Sequence, residues 1–235
     1  MRVQTSMDVM LIVFCMAATL LAAALTVPAG FGLATMITPV MLLWLDPHLA
    51  IAAVAVVHAA HNGWKLVLLK GDVDFLAVKR YGWAMVLGAL IGASLSTSID
   101  PQPLLIVVGF ALILLPILSV SERWTNYRLP EAEDRWGGFG SGFMGGLTGH
   151  QGALRAMFLQ RRLPDKSAYA ATAALLALTV DLSRLPVYLY SDGEALAEYL
   201  PLVAGSVVSA IIGVLLGKRW LKKWKKSHIS TMITI

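Results

Sequence analysis

The sequence predicts an all-α integral membrane protein built from two copies of one unit, and three observations predict it. Of the 235 residues, 57% are hydrophobic and 14% are charged, whereas a soluble domain carries roughly 25% charged residues. Several of the chain's eight apolar stretches approach or exceed the ~20 residues that span a bilayer. One order of features also occurs twice: a Gly-rich break, a short apolar run, a polar turn, and an Ala-rich helix carrying polar residues.

In chain order the apolar stretches are residues 7–26, 34–45, 49–69, 81–99, 103–120, 137–159, 167–190 and 200–217. They predict about seven to eight transmembrane or re-entrant helical segments. The first has only Arg2 before it and Ala22-Ala23-Ala24 near its end. Its apolar run exceeds that of a cleaved signal peptide, so it is expected to be a retained helix. Cys15, the single cysteine, lies in this stretch, allows no disulfide within the chain, and is expected to pack as a small residue. Polar connections fall at residues 46–48, 70–80, 100–102, 121–136, 161–166 and 191–198. These divide the chain into a first repeat over 1–99, a second over 100–218, and a basic tail over 219–235. The loop 121–136 precedes the second Gly-rich break.

The first copy reads Gly30-Phe31-Gly32 through Pro39, the turn Asp46-Pro47-His48, then a helix to Lys65. The second reads Gly145-Gly146-Leu147-Thr148-Gly149-His150-Gln151-Gly152, the turn Leu163-Pro164-Asp165-Lys166, then a helix to Arg184. Leu49-Ala50-Ile51-Ala52-Ala53 aligns with Ser167-Ala168-Tyr169-Ala170-Ala171, and Asn62 with Lys65 aligns, one residue late, with Asp181 and Arg184. Duplicated, broken apolar segments point to a transporter whose binding site lies between the repeats.

The formal charge of +5 is local. Lys218, Arg219, Lys222, Lys223, Lys225 and Lys226 supply six of the 19 basic residues, and the rest are outnumbered by 14 acids. The high isoelectric point therefore describes one tail and gives no ground for a nucleic-acid partner. With Trp220 and Trp224 at helical spacing, that tail suits contact with anionic lipid headgroups.

Basic residues in short loops mark the cytoplasmic side. The tail, Arg161-Arg162…Lys166 and Lys70…Lys79-Arg80 are expected there, in the inner membrane of a cell, with a cytoplasmic C-terminus. The matching turns at 46–48 and 163–166 then face opposite sides, which makes the repeats inverted and requires residues 137–159 to dip in and return as a re-entrant hairpin. The competing arrangement has eight full crossings, parallel repeats, and the 70–80 loop outside.

Ionisable residues at membrane depth are costly and usually mark a pathway. Asp181 is the acid clearly at that depth; His58, His61, Lys65, His150, Arg155 and Arg184 are the bases. His58, His61, Asn62 and Lys65 are three or four apart and share one helix face. Asp181 and Arg184 are three apart, and their pairing could be purely structural. Interior glycines each cost a helix about 1 kcal/mol, so both Gly-rich motifs are read as breaks. A break exposes N–H groups at the start of the next half-helix, and an anion satisfies them with help from the helix dipole. Gly30, Gly32, Gly149 and Gly152 thus become candidate anion-contacting positions, with Thr148 and Gln151 as neutral donors beside His61, Asn62, Lys65, His150, Arg155 and Arg184. His58, His61 and Asp181 are candidates for a coupling proton. Gly88/Gly92 and Gly205/Gly213 are read only as helix-packing contacts.

At these residues the chain resembles the sulfite exporter TauE/SafE family. The likeness is carried by Gly30-Phe31-Gly32…Pro39, then residues 46–53, then Gly71-Asp72-Val73-Asp74-Phe75, and in the second half by residues 145–152, Pro164-Asp165 and Ala171-Thr172. It covers roughly residues 8 to 217. Leu33 and Ala34 stand where the family often continues with glycine, and His150-Gln151 interrupts the second glycine run. The resemblance implies export of a small sulfur-containing or organic anion, such as sulfite, a sulfonate or sulfoacetate, with no cofactor. The alternatives are an intramembrane enzyme acting on a lipid-linked phosphate, which one deep acid supports poorly, and a non-transporting membrane scaffold. The oligomeric state is not legible from the sequence.

Overall fold

The structure is a computed structural model describing residues 2–29, 32–125, 134–163 and 165–223. The described residues form nine α-helices and no strand: α1 Arg2–Ala29, α2 Leu33–Met41, α3 Pro47–Leu69, α4 Phe75–Ser96, α5 Pro101–Thr125, α6 Asp134–Thr148, α7 Gly152–Arg162, α8 Lys166–Glu198 and α9 Leu200–Lys223. A single 3₁₀ turn, Lys70–Asp72, follows α3. Five helices are long and apolar enough to cross a membrane: α1, α3, α4, α8 and α9; α5 contributes a shorter apolar segment, Pro101–Ile117.

Three helices begin on an aspartate that holds otherwise unpaired N–H groups. Asp46 Oδ1 accepts from His48 N and Leu49 N at 3.0 and 3.2 Å, with Pro47 in the first helical position where its missing N–H costs nothing. Asp165 Oδ1 does the same for Ser167 N and Ala168 N at 2.9 and 2.8 Å. Asp74 caps α4 through Ala77 N at 2.9 Å. The polar turns of the two sequence copies therefore serve one physical purpose.

Several sequence boundaries shift. Residues 137–159 are two helices, α6 and α7, separated by the non-helical Gly149-His150-Gln151 segment. The expected loop 191–198 is the end of α8, which continues because Leu196 is buried in the core. The expected loop 121–136 is helical at both ends, and residues 126–133 lie outside the described residues.

Glycines set the close packing. On α4 and α6, Gly138 lies against Tyr81, Gly142 against Met85 and Gly146 against Ala89, while Gly88 and Gly92 face the backbone of Phe139–Phe143 and Phe143–Leu147. The two helices thus run parallel, backbone against backbone, with no room for a side chain at the seam. The α1–α9 pair is built likewise: Gly205 meets Met16, Gly213 meets Ala23, and Gly217 meets Ala24 and Val27.

Both short helices fold back on the helix before them. Gly137 near the start of α6 abuts the Phe158 ring near the end of α7, and Gly145 abuts Gln151 at the turn. Phe14 of α1 meets Trp44, just past α2, edge to face at 5.7 Å. Each reversal contains a left-handed glycine, Gly32 at φ 110° and Gly149 at φ 86°, a conformation that side chains disfavour by roughly 1–2 kcal/mol.

The ends sort onto two faces. On one, Val27, Leu69, Ala170, Ala171 and Val214 cluster, and Lys218 Nζ donates to Leu68 O at 3.2 Å. This joins the ends of α1, α3 and α9 to the start of α8. On the other, the His48 ring nitrogen Nε2 lies 3.1 and 3.0 Å from the carbonyls of Ser96 and Ile99, tying the start of α3 to the end of α4.

Candidate functional site

The charged side chains buried among the described residues are Lys65, Arg155, Asp181 and Arg184, and they gather with other polar groups around the facing midsections of α3 and α8. His58 sits at the midpoint of α3 and Asp181 beside that of α8. Ala50, Ala52, Ala53, Ala55, Ala170, Ala171, Ala173, Ala174 and Ala177 are all fully buried. Small side chains let these two helices approach closely and leave space for long polar ones.

Asp181 is the hub. Its Oδ2 lies 2.6 Å from His58 Nδ1. Its Oδ1 accepts from Arg184 Nε at 3.1 Å and Nη2 at 2.7 Å, and from Gln151 Nε2 at 3.5 Å. Asn62 Nδ2 donates to His58 O at 2.9 Å and lies 3.2 Å from His58 Nδ1, fixing that ring one helical turn away. One carboxylate therefore joins α3, α8 and the break between α6 and α7.

The break requires such partners because a helix that ends inside the protein leaves carbonyls with no successor turn. Arg184 Nη1 donates to Gly145 O and Tyr188 OH to Gly146 O, both short contacts. The Arg184 guanidinium also stands 5.8 Å over the Tyr188 ring. Ser141 Oγ donates to Gln151 O at 2.8 Å, and Thr148 Oγ1 to Met144 O at 2.9 Å. Side chains thus reach the carbonyl end of α6, where Tyr188 supplies Gly146 O and Arg184 adds to the Gly149 N–H on Gly145 O.

The amide end is open. Gln151, at the N-cap of α7, places no side-chain acceptor on the helix. Among the described residues the N–H groups of Gly152, Ala153 and Leu154 have no acceptor. Other buried polar atoms of the cluster have no hydrogen-bond partner: the donor Arg155 Nε, His150 Nε2, and the two ring nitrogens of His61, of which a neutral imidazole makes one a donor. Arg155 Nη1 donates to Gln151 Oε1 at 3.2 Å, a neutral group, and His150 Nδ1 lies 3.2 Å from Thr148 Oγ1.

The charges do not balance. Every ion pair of this cluster ends on Asp181. Arg184 takes that carboxylate, and among the described residues Lys65, 1% exposed, and Arg155 are left without an ion-pair partner. Lys65 and Arg155 lie close enough to repel one another, while Asp181 reaches Arg155 only electrostatically.

Nearly all the sequence candidates meet here: His58, His61, Asn62, Lys65, Thr148, Gly149, His150, Gln151, Gly152, Arg155, Asp181 and Arg184. Gly149 packs beside the Arg184 guanidinium. Gly32 lies instead at the α1–α2 reversal against Thr26, and Gly30 lies outside the described residues. Sequence reasoning missed Tyr188 and Ser141. Tyr188 was within reach of a pattern search, since it stands one helical turn beyond Arg184 on the same face; Ser141 carries no such signal, because its partner Gln151 is met only through the hairpin.

Helices of membrane length around a buried, charge-bearing centre at a broken helix define a multi-pass membrane protein of the transporter kind. The description "Sulfite exporter TauE/SafE" matches residues 15–235, and the chain belongs to that family. It is a family of membrane transporters, not of enzymes. No curated protein and no solved structure gives a significant match.

Proposed function

We propose that this protein exports a small oxyanion, such as sulfite, a sulfonate or sulfoacetate, by alternating access around the α3–α7–α8 centre. The observation that carries the reading is three buried cations against one buried carboxylate, beside a helix N-terminus whose amides have no acceptor. An anion supplies both the missing charge and the missing acceptors. Lys65 and Arg155 attract it; the amides of Gly152 and the residues after it, with His61 and Gln151, contact its oxygens, while Thr148, which donates to Met144 O, holds His150 beside them. Arg184 and Asn62 have their donors committed to protein groups, so they position Asp181 and His58. The His58–Asp181 pair carries a coupling proton.

Packing supports inverted repeats over 1–99 and 100–218. The α1–α2 hairpin opens and closes on one face, and the α6–α7 hairpin on the other. Each hairpin's first helix packs parallel to the last helix of the opposite half, α1 on α9 and α4 on α6, and α3 crosses α8 antiparallel at the centre. The matching parts thus exchange places under a two-fold rotation.

Charge supports the orientation. Lys70, Lys79, Arg80, Arg162, Lys166, Lys218 and Arg219 share one face, while Asp46, Asp100, Asp192, Glu194 and Glu198 lie at the other. The basic face is cytoplasmic, in the inner membrane, with Lys218 and Arg219 toward anionic headgroups; residues 224–235 of the basic tail lie outside the described residues. The substrate centre is closed to solvent from both faces, which fits an occluded state between inward and outward opening.

The test is flux of sulfite or a sulfonate in proteoliposomes, with and without a pH gradient. The expected result is gradient-stimulated flux, reduced about tenfold or more by Arg155→Ala or Gln151→Ala. Flux unchanged in both variants overturns the site; flux indifferent to the gradient overturns proton coupling alone.

A further inference from the structure

The excess of buried positive charge carries a second conclusion, which rests on the anion-site reading and specifies it. We infer that the centre selects doubly charged oxyanions over singly charged ones, and that Lys65 is the residue that sets this preference.

Arg184 is neutralised within its own helix by two N–H donations to Asp181 Oδ1. The other carboxylate oxygen is engaged by His58, so Asp181 offers no further ion pair. Two cations remain, on different helices: Lys65 on α3 and Arg155 on α7. Their depths coincide. Gln151 meets Asp181, and Arg155 lies one turn further along α7. Gly63 of α3 faces Leu178 of α8, and Lys65 lies beyond it in the same direction, since α3 and α8 run antiparallel. Among the described residues neither Lys65 nor Arg155 forms an ion pair, and the described acid buried at this level, Asp181, is taken by Arg184 and His58.

A singly charged ligand compensates one of these cations and leaves the other uncompensated. Removing an ion from water costs several kcal/mol unless it is paired, and the mutual repulsion of two buried cations adds to that cost. A dianion removes both penalties at once. Unpartnered donors for a multi-oxygen group are Arg155 Nε and one nitrogen of the His61 ring, with the free amides of α7. Arg155 is tied to the break through Gln151, so changing it disturbs the binding amides themselves. Lys65 makes no such tie, and its charge separates from the architecture of the site.

The experiment compares two probes of fixed charge at neutral pH, sulfoacetate (dianion) and methanesulfonate (monoanion), binding to the purified full-length protein in detergent. Sulfoacetate is expected to bind about tenfold or more tightly. Lys65→Met should narrow that difference, because the lost attraction scales with the charge of the ligand and weakens sulfoacetate by more than it weakens methanesulfonate. Lys65→Arg, which keeps the charge, should retain the preference. Equal affinity of the two probes for the unmodified protein overturns the inference while leaving an anion site in place. Equal weakening of both probes in Lys65→Met also overturns it, since Lys65 then acts on any anion alike. Absence of binding by either probe overturns the anion-site reading and this inference with it. The unmodified-protein comparison stands whether or not a variant folds.

Discussion

The two chain reversals, at Gly32 and at Gly149, share a backbone and differ in chemistry. Both turn a short helix back on its predecessor, and both hold a glycine at positive φ. The α6–α7 reversal is surrounded by Thr148, His150, Gln151, Arg155, Asp181 and Arg184, whereas described neighbours of the α1–α2 reversal are Thr26, bonded to Ala22 O at 2.7 Å, and buried apolar residues such as Leu33 and Ile37. The same reversal geometry occurs twice, and polar side chains gather at one of the two. The symmetric frame and the asymmetric site are therefore separable, by substitutions that disturb one and spare the other.

The largest effect is expected at the hub. Asp181→Asn removes the carboxylate that Arg184 and His58 share, and breaking a buried pair in this way costs roughly 3–5 kcal/mol. Thermal unfolding in detergent should show a large drop in midpoint together with loss of flux. A variant as stable as the parent would mean that the pairing does not hold α8 to the break. The matching position of the first copy offers no carboxylate to lose, and that is the asymmetry under test.

A medium effect compares the glycines. An added methyl meets only ordinary contacts at either site, Thr26 at 3.4 Å beside Gly32 and Arg184 Nη1 at 3.6 Å beside Gly149. Gly32→Ala and Gly149→Ala should therefore each cost about 1–2 kcal/mol through the positive φ alone. Flux should separate them: Gly149→Ala re-aims His150 and Gln151 and lowers transport about tenfold, while Gly32→Ala leaves it within about twofold. Equal losses would show that both reversals serve the substrate.

The smallest effect concerns buried hydroxyls. Thr38 Oγ1 on α2 has no partner, so Thr38→Val should change stability by no more than about 0.5 kcal/mol, or raise it. Thr148→Val in the second copy loses bonds to Met144 O and to His150 and should lower flux while Thr38→Val does not. Parallel unfolding and flux measurements on both variants settle the comparison.

Much of this was legible in the chain. The apolar runs foretold the long helices, because a bilayer imposes length and hydrophobicity directly. Asp46 and Asp165 announced helix starts, because capping is local. The polar stripe of His58, His61, Asn62 and Lys65 was visible through helical periodicity alone. What escaped were the ends of helices whose last turns are polar, as in residues 191–198, where burial of Leu196 overrode composition. The Asp181–Arg184 pair was legible as a possibility, but its connection to His58 across 123 residues was not.

The sequence by itself determined a membrane-embedded helical chain, the two breaks, and the collection of polar residues that burial would force into company. Which partners they take was decided only by the tertiary structure. Spacing along a helix states which residues share a face, but not which helix that face will meet. Only the packing of α3, α7 and α8 reveals that Asp181 is committed to Arg184 and His58. That commitment leaves Lys65 and Arg155 as the cations without a partner, because a charge balance is a property of neighbours in space.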